Sequence, residues 1–468
     1  MTPEKVKKLQ EDMHGMPEQA SNSDTLFHGA RGLAVKILTR VEQSDAYLDK
    51  LLNYELGNSE LSSQDRRLLT ELTSGVLRWQ ARLDWVLTGF YHGEFSRCMP
   101  VVKNALRVAL YQILFLSRIP HSAAVNESVE IVKRLKGARS ASVVNGVLRS
   151  VIRKIDSITY PEPEGDPARY LSIMLSHPLW MVRRWMARYG EDATKRLLEA
   201  NNTRPHVALR VNTLRGSTDD LLTALRERGL NPERSPHLDD VILVDGLTNI
   251  GSDPLFREGR YTVQDEAATL ASRLAGARPG MRVIDLCAAP GGKSTAMAED
   301  MHGQGTVVSV DKYESKLKLI DVTAERLGFG QMIRTAAGDA RVIRIDPADV
   351  VLVDVPCSGL GVLARKPDIK WKRQPEDIEA MTTLQREILE NAVRMVKPGG
   401  HLVYSTCTIE PAENEELVRA FLRDHPEFEL VPASELLPHA VVDQEGFLRT
   451  LPHEHGTDGM FGARMHRR

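Results

Sequence analysis

The sequence predicts a multidomain chain: an all-α N-terminal domain, a small α+β module, and a doubly wound α/β domain. Three observations predict it. Apolar residues recur at helical spacing without interruption from about residue 26 to 155. From about residue 258 strand-like apolar runs alternate with amphipathic helices. Between these stretches stands a proline-rich joint, YPEPEGDP (Tyr160–Pro167). At 468 residues the chain is also too long for a single core.

The elements follow in order. Residues 1–25 are polar and are expected to be disordered, with no apolar segment that could act as a signal peptide. For 26–160, Ala34, Ile37, Leu38 and Val41 share one helical face. Leu68, Leu69, Leu72 and Val76 share another, after a Ser62–Ser63 capping signal. The most apolar run, Val101–Ile119, carries Lys103, Asn104, Arg107 and Gln112, so it reads as a buried helix and not a membrane span. Segment 161–257 mixes helices with short strands such as VALRVN and VILV. Segment 258–468 runs RVIDLC, helix, GTVVSVD, helix, IRTAAGD, DVVLVDVPC, helix, HLVYSTC, helix. That alternation implies βαβ units and a parallel sheet, with ligands held at the carboxyl ends of the strands.

Charge and cysteine usage narrow the function classes. Between Phe27 and Ile155 there are 19 Lys/Arg against 11 Asp/Glu, a net +8; since the whole chain carries −2, the remainder carries −10. A locally basic domain suits a polyanionic partner, although a solvated helix face gives the same count. Cys98, Cys287, Cys357 and Cys407 lack metal-site spacing and are too few for a disulfide framework, so reduced thiols, a cytoplasmic location and no metal are expected.

Every chemically suggestive residue of the last domain falls at a strand end. CAAPGGKST (Cys287–Thr295) comes within one residue of a phosphate-binding loop, but Cys287 stands where the first glycine belongs. Cys287, Ala288, Ala289, Pro290, Gly291, Gly292 and Lys293 then form a turn that lets backbone approach a ligand at a helix N-terminus. Asp311 closes the second strand, placed to accept hydrogen bonds from ribose hydroxyls, and Asp339 follows the third, beside the adenine position. VVLVDVP resembles the acidic strand of an ATPase, yet an ATPase has no use for Asp311. DVPCSGLG brings Asp354 and Cys357 to the end of the fourth strand, and STCT brings Cys407 to the end of the fifth.

Two thiols and a carboxylate in one cleft suit methylation of pyrimidine C5. A thiolate adding to C6 turns the ring into an enamine that can take an electrophilic methyl group; C5 deprotonation and thiol elimination follow. Asp354 is the candidate for N3.

CAAPGGK, DVPCSGLG with KPDIKW (Lys366–Trp371), STCT, RVNT (Arg210–Thr213), VQDEAA (Val263–Ala268) and HGTDGMFGARM resemble the RNA cytosine-C5 methyltransferases of the NOL1/NOP2/Sun family. ARGLAVKILTRV, DRRLLTELTSGVLRWQARLDWVL, AAVNESVEIVK and VVNGVLRSVIR resemble NusB, an RNA-binding antitermination factor; the combination, with SHPLWMVRRW between, is similar to the ribosomal small subunit methyltransferase B group. The resemblance implies a NusB-like domain before a Rossmann-like class I methyltransferase domain, S-adenosylmethionine as cofactor and 16S ribosomal RNA as partner. A monomer that binds neither metal nor membrane is expected. It further implies Cys407 as nucleophile and Cys357 as the thiol that aids release; DNA cytosine methyltransferases use the Pro-Cys thiol for attack instead. Lys366, Pro367, Asp368 and Trp371 are assigned to reception of the flipped base, against the alternative that Trp371 packs the loop. The competing function is a NusB-like RNA-binding factor with a vestigial catalytic domain. Met460 and Gly462 depart from the larger apolar residues usual in the family.

Overall fold

The computed structural model describes residues 26–468; the N-terminal segment 1–25 lies outside them. The chain divides into two compact units. One comprises 204–362 and 374–468; the other takes the helices up to Thr203 together with Leu363–Arg373.

The helical unit is built on the apolar faces the periodicity marks. Leu69, Leu72 and Val76 of helix Ser63–Arg78 are fully buried with Ala34, Ile37 and Leu38 of helix Gly29–Gln43. Ser62 caps the first of these, its hydroxyl accepting from the Asp65 amide at 3.1 Å. The polar residues of helix Pro100–Phe115 are buried in pairs. Arg107 meets Asp84 at 2.7 Å and Glu42 at 3.0 Å, and Lys103 meets Glu42 at 2.8 Å. Burial alone would raise the Glu42 carboxyl, but these cations hold it below its ordinary value. The helical run His121–Arg153 is broken at Gly137, whose φ of +81° interrupts the hydrogen-bond ladder.

Helices Pro167–Met174, Leu179–Tyr189 and Glu191–Asn202, read from sequence with the α+β module, belong to this compact unit. The reason is packing. Ser176 Oγ accepts from the Ala81 amide at 2.8 Å, and Met181, Val182 and Trp185 are buried.

The second unit begins with a small antiparallel sheet of β1 (Val207–Val211), β2 (Glu233–Arg234), β3 (Val241–Val244) and β4 (Tyr261–Val263), in the order β2-β3-β1-β4. Its fourth strand lies beyond residue 257, where the sequence reading closed the module. The large sheet comprises β5 (Arg282–Leu286), β6 (Thr306–Asp311), β7 (Ile333–Ala337), β8 (Ala348–Asp354), β9 (Val396–Thr406), β10 (Phe428–Val431), β11 (Leu448–Thr450) and β12 (Met460–Arg467). The order is β10-β12-β9-β8-β5-β6-β7, with β11 on β12. Strands β5 to β9 are parallel, and β12 joins β9 antiparallel. A mostly parallel sheet buried on both faces explains the continuous Val/Ile/Leu runs. Gly462 on β12 has a steric reason: a Cβ there would stand 2.7 Å from Leu274 Cδ2 and 3.2 Å from Leu448 Cδ2.

Candidate active site

Parallel pairing aligns the strand ends. Leu286 of β5 stands level with Val310 of β6 and Val353 of β8, and Asp354 of β8 is level with Ser405 of β9. The loop Cys287–Gly291 leaves β5 here, with Cys287 at φ +63° and Gly291 at φ +100°. Gly291 is required twice over, because a Cβ there would also meet Ile320 at 3.1–3.3 Å. The helix Gly292–Asp300 starts without a side-chain cap, which leaves its first amides available to an anionic or polar ligand.

Beneath the loop, Ser294 Oγ donates to Asp285 Oδ2 at 2.5 Å and Ser309 Oγ lies 2.8 Å from Ser294 Oγ. Burial pushes the Asp285 carboxyl up to about 7, despite the Ser294 bond. Burial and then the surrounding carboxylates push the Cys287 thiol up to about 12, so this cysteine is a poor nucleophile. Asp311 accepts from the Tyr313 amide at 3.1 Å and the Ala289 amide at 3.4 Å, long bonds that leave carboxylate lone pairs for further donors. Asp339, two residues past the end of β7, is in the grip of Arg341, with Nη2 at 2.7 Å and Nε at 3.0 Å, and that pairing holds its carboxyl well below the usual carboxylate range.

The other motif residues brace the loop's helix. Arg210, fully buried, donates to Thr295 Oγ1 at 3.0 Å, and Glu299 Oε1 accepts from the Thr213 amide at 2.8 Å. Gln264 lies 3.4 Å from where a Gly292 Cβ would project. Asp265 accepts from Thr457 Oγ1 at 3.0 Å, tying VQDEAA to HGTDG.

At the centre, Lys293 Nζ donates to Asp354 Oδ2 at 2.7 Å, and Ser405 Oγ donates to Asp354 Oδ1 at 2.8 Å. The Sγ atoms of Cys357 and Cys407 are 3.2 Å apart. The Cys407 hydrogen bond, followed by burial, holds the Cys357 thiol well above its ordinary value. Two thiolates this close would repel, so one thiol of the pair stays protonated. Burial opposes the charge of Lys293, but Asp354 outweighs it and Cys407 adds to it, so the ammonium persists. Lys293 and Cys407 are thus near enough for their charges to act on each other. Sequence reasoning left the cation beside Cys407 unnamed, because residues 114 positions apart carry no mutual signal in one sequence.

A second unpredicted contact sets the Cys357 loop. Gly361 N donates to Cys407 O at 3.1 Å, and Gly459 N donates to Gly361 O at 2.8 Å. Two glycines let three chain segments meet at backbone distance.

Leu363–Arg373 goes elsewhere. The chain leaves the catalytic unit after Val362, joins the helical unit, and returns at Gln374. There the Asp368 carboxylate accepts from the Leu48 amide at 3.0 Å, Trp371 Nε1 donates to Leu77 O at 2.7 Å, and Pro367 is buried. Lys370, also fully buried, donates to Asn202 Oδ1 at 2.7 Å. Pro367, Asp368 and Trp371, expected from sequence to receive the base, are engaged within the helical unit by burial of the first two and by these bonds of the last two. Lys366, half-exposed, pairs with Asp49 at 3.6 Å.

No group of side chains among the described residues could hold a metal ion, and no helix among them is long and apolar enough to cross a membrane.

Comparison with known proteins divides the chain similarly, except that the ferredoxin-like match begins at residue 177, within the helices that belong to the helical unit. Residues 274–466 match the family described as 16S rRNA methyltransferase RsmB/F, residues 28–153 match the NusB family, and residues 177–251 match the RsmF/B-like ferredoxin-like domain. A probable ribosomal RNA small subunit methyltransferase B of Bacillus subtilis is 38% identical, with 94% of this chain and 98% of that protein covered. The ribosomal RNA small subunit methyltransferase B of Cronobacter sakazakii is 34% identical, covering 86% of this chain and 91% of that one. Among solved structures, PH0851 is 28% identical with a TM-score of 0.79, over 94% of this chain and 99% of that one. A methyltransferase homologue from Pyrococcus horikoshii is 27% identical with a TM-score of 0.58, over 65% of this chain and all of that one.

Proposed function

Because the chain belongs to the RsmB/F family of 16S rRNA methyltransferases, we propose that it methylates C5 of a cytosine in 16S ribosomal RNA, in the cytoplasm, through a covalent bond between Cys407 and C6. The observation that carries this reading is the thiol pair: Cys357 and Cys407, 3.2 Å apart at adjacent strand ends, beside the Lys293–Asp354 ion pair. S-adenosylmethionine, when bound, supplies the electrophilic methyl group. The residues present fit it: the open helix N-terminus at Gly292, the Gly291 turn and the under-used Asp311 carboxylate at the end of β6.

The chain's own groups do the rest. Lys293 favours the thiolate of Cys407, since an ammonium nearby stabilises the anion. The Cys407 sulfur pair forms the bond to C6, and electron density moves toward C5 and N3. Asp354, held by Ser405 and Lys293, serves N3. After methylation the C5 proton leaves to a base, the C5–C6 double bond re-forms, and the C6–S electron pair returns to Cys407. Cys357, kept in its thiol form, aids this release.

The test is transfer of labelled methyl groups from S-adenosylmethionine to unmodified small-subunit RNA, followed by bisulfite mapping. A protected cytosine that appears only with active protein is expected. Absence of incorporation into both naked RNA and partly assembled subunits overturns the proposal.

A further inference from the structure

The turn carrying Cys357 is held from both sides by two buried side chains that the chemistry above does not use. Gln385, on the apolar stripe of helix Pro375–Ala392, donates from Nε2 to Pro356 O at 3.0 Å and to Glu413 Oε2 at 2.8 Å. The same Glu413 oxygen accepts from the Ser358 amide at 2.8 Å. The residues immediately before and after Cys357 are therefore fixed by one connected pair. Both partners of Gln385 Nε2 are acceptors, which fixes the orientation of its amide. Glu413 is anchored in turn, because Tyr404 OH donates to its backbone carbonyl at 2.6 Å. A third tie, Ser358 Oγ to Thr408 Oγ1 at 2.7 Å, joins the neighbour of Cys357 to the neighbour of Cys407.

Packing alone does not account for this pair. Gln385 and Glu413 have no exposed surface, yet Glu413 Oε1 and Gln385 Oε1 have no hydrogen-bond partner. An apolar pair of similar size would avoid both buried orphan oxygens. What an apolar pair cannot do is grip Pro356 O and Ser358 N together.

We propose that Glu413 and Gln385 are positioning residues for Cys357, holding its thiol at the C6–S bond so that the methylated RNA is released. This deepens the reading of Cys357 as the release thiol and rests on it. Methyl transfer, which uses Cys407, does not need the clamp; turnover does.

The experiment compares full-length Cys357→Ala, Glu413→Ala, Glu413→Gln and Gln385→Leu with the parent, using unmodified small-subunit RNA and S-adenosylmethionine. Three quantities are read: methyl transfer in the first turnover, steady-state turnover, and the protein–RNA complex that survives denaturation. Glu413→Ala is expected to keep first-turnover transfer while steady-state turnover falls at least about tenfold, as a displaced group would cause. The denaturation-resistant complex then accumulates, as it does in Cys357→Ala. Glu413→Gln keeps an oxygen for the Ser358 amide and restores most of the turnover, a rescue that loss of packing would not show. Gln385→Leu reproduces the trapping from the other side of the turn, and carries the test if Glu413→Ala does not fold. If Cys357→Ala traps complex while Glu413→Ala and Gln385→Leu do not, the clamp is overturned and the thiol assignment stands. A Cys357→Ala variant that traps nothing overturns the thiol assignment, and the clamp's role in release with it.

Discussion

Replacing Gly361 by alanine places one methyl group where the Cys357 loop crosses the strand end of Cys407. The added Cβ would lie 2.9 Å from Cys407 O and 2.7 Å from the carbonyl carbon of Gly459, with Gly459 O closer still. Comfortable separations are about 3.5–4.0 Å, so the loop must withdraw by roughly 1 Å. All the obstructing atoms are backbone, so no side chain can rotate away. Overpacking of this kind costs about 1–3 kcal/mol. The functional loss should be larger, because Cys357 stands four residues upstream on the same loop. A displacement of about 1 Å at a reacting group lowers rate by roughly 100-fold. Gly361→Ala should therefore show slow turnover and faster hydrogen exchange at the Gly361 and Gly459 amides, which now bond across this crossing. Tryptophan fluorescence is the wrong probe, since all five tryptophans lie outside the catalytic unit. A variant with parental turnover and parental exchange would refute the claim that this backbone crossing sets the thiol separation.

Two further outcomes follow from charge. Asp285 ionises near its ordinary 3.8 when unfolded but only at about 7 when folded, because burial disfavours its charge. Between those values the folded chain binds the extra proton, so stability declines as pH rises from about 4 to about 7, by up to roughly 4 kcal/mol. Asp285→Asn should flatten that decline in denaturation curves taken at several pH values; an unchanged slope would assign it to other groups. Around Gly137 the cations Lys133, Arg134, Lys136 and Arg139 are exposed on the helical unit. Replacing all four by glutamine should weaken RNA binding at low salt and make its logarithmic salt dependence shallower by about 0.7 for each RNA phosphate that is no longer neutralised. An identical salt slope would remove this face from the RNA footprint.

Much of the site was legible without the fold because it rests on local signals. Period-2 and period-3.6 patterns mark strands and helices, and a parallel sheet sends every strand end to one edge. Asp311 and Asp354 close β6 and β8, Asp285 is the penultimate residue of β5, and Cys407, Asp339 and Cys357 follow β9, β7 and β8 by one, two and three residues. Gln385, polar on a helix face it shares with Ile378, Ile388 and Leu389, is a further local signal of a buried hydrogen-bonding role.

The sequence by itself determined which residues are delivered to the cleft, because delivery depends on chain direction and strand order, and both are written locally. Only the tertiary structure decided what those residues do to one another. The approach of Cys357 to Cys407, the Lys293–Asp354 pair and the Gly361–Gly459 crossing each join segments at least 50 positions apart. Tertiary packing also sent Asp368 and Trp371 into the helical unit, where Leu48 and Leu77 claim their hydrogen bonds. A side chain's nearest charge and its burial are set by such distant segments, and those two quantities fix its protonation and its reach.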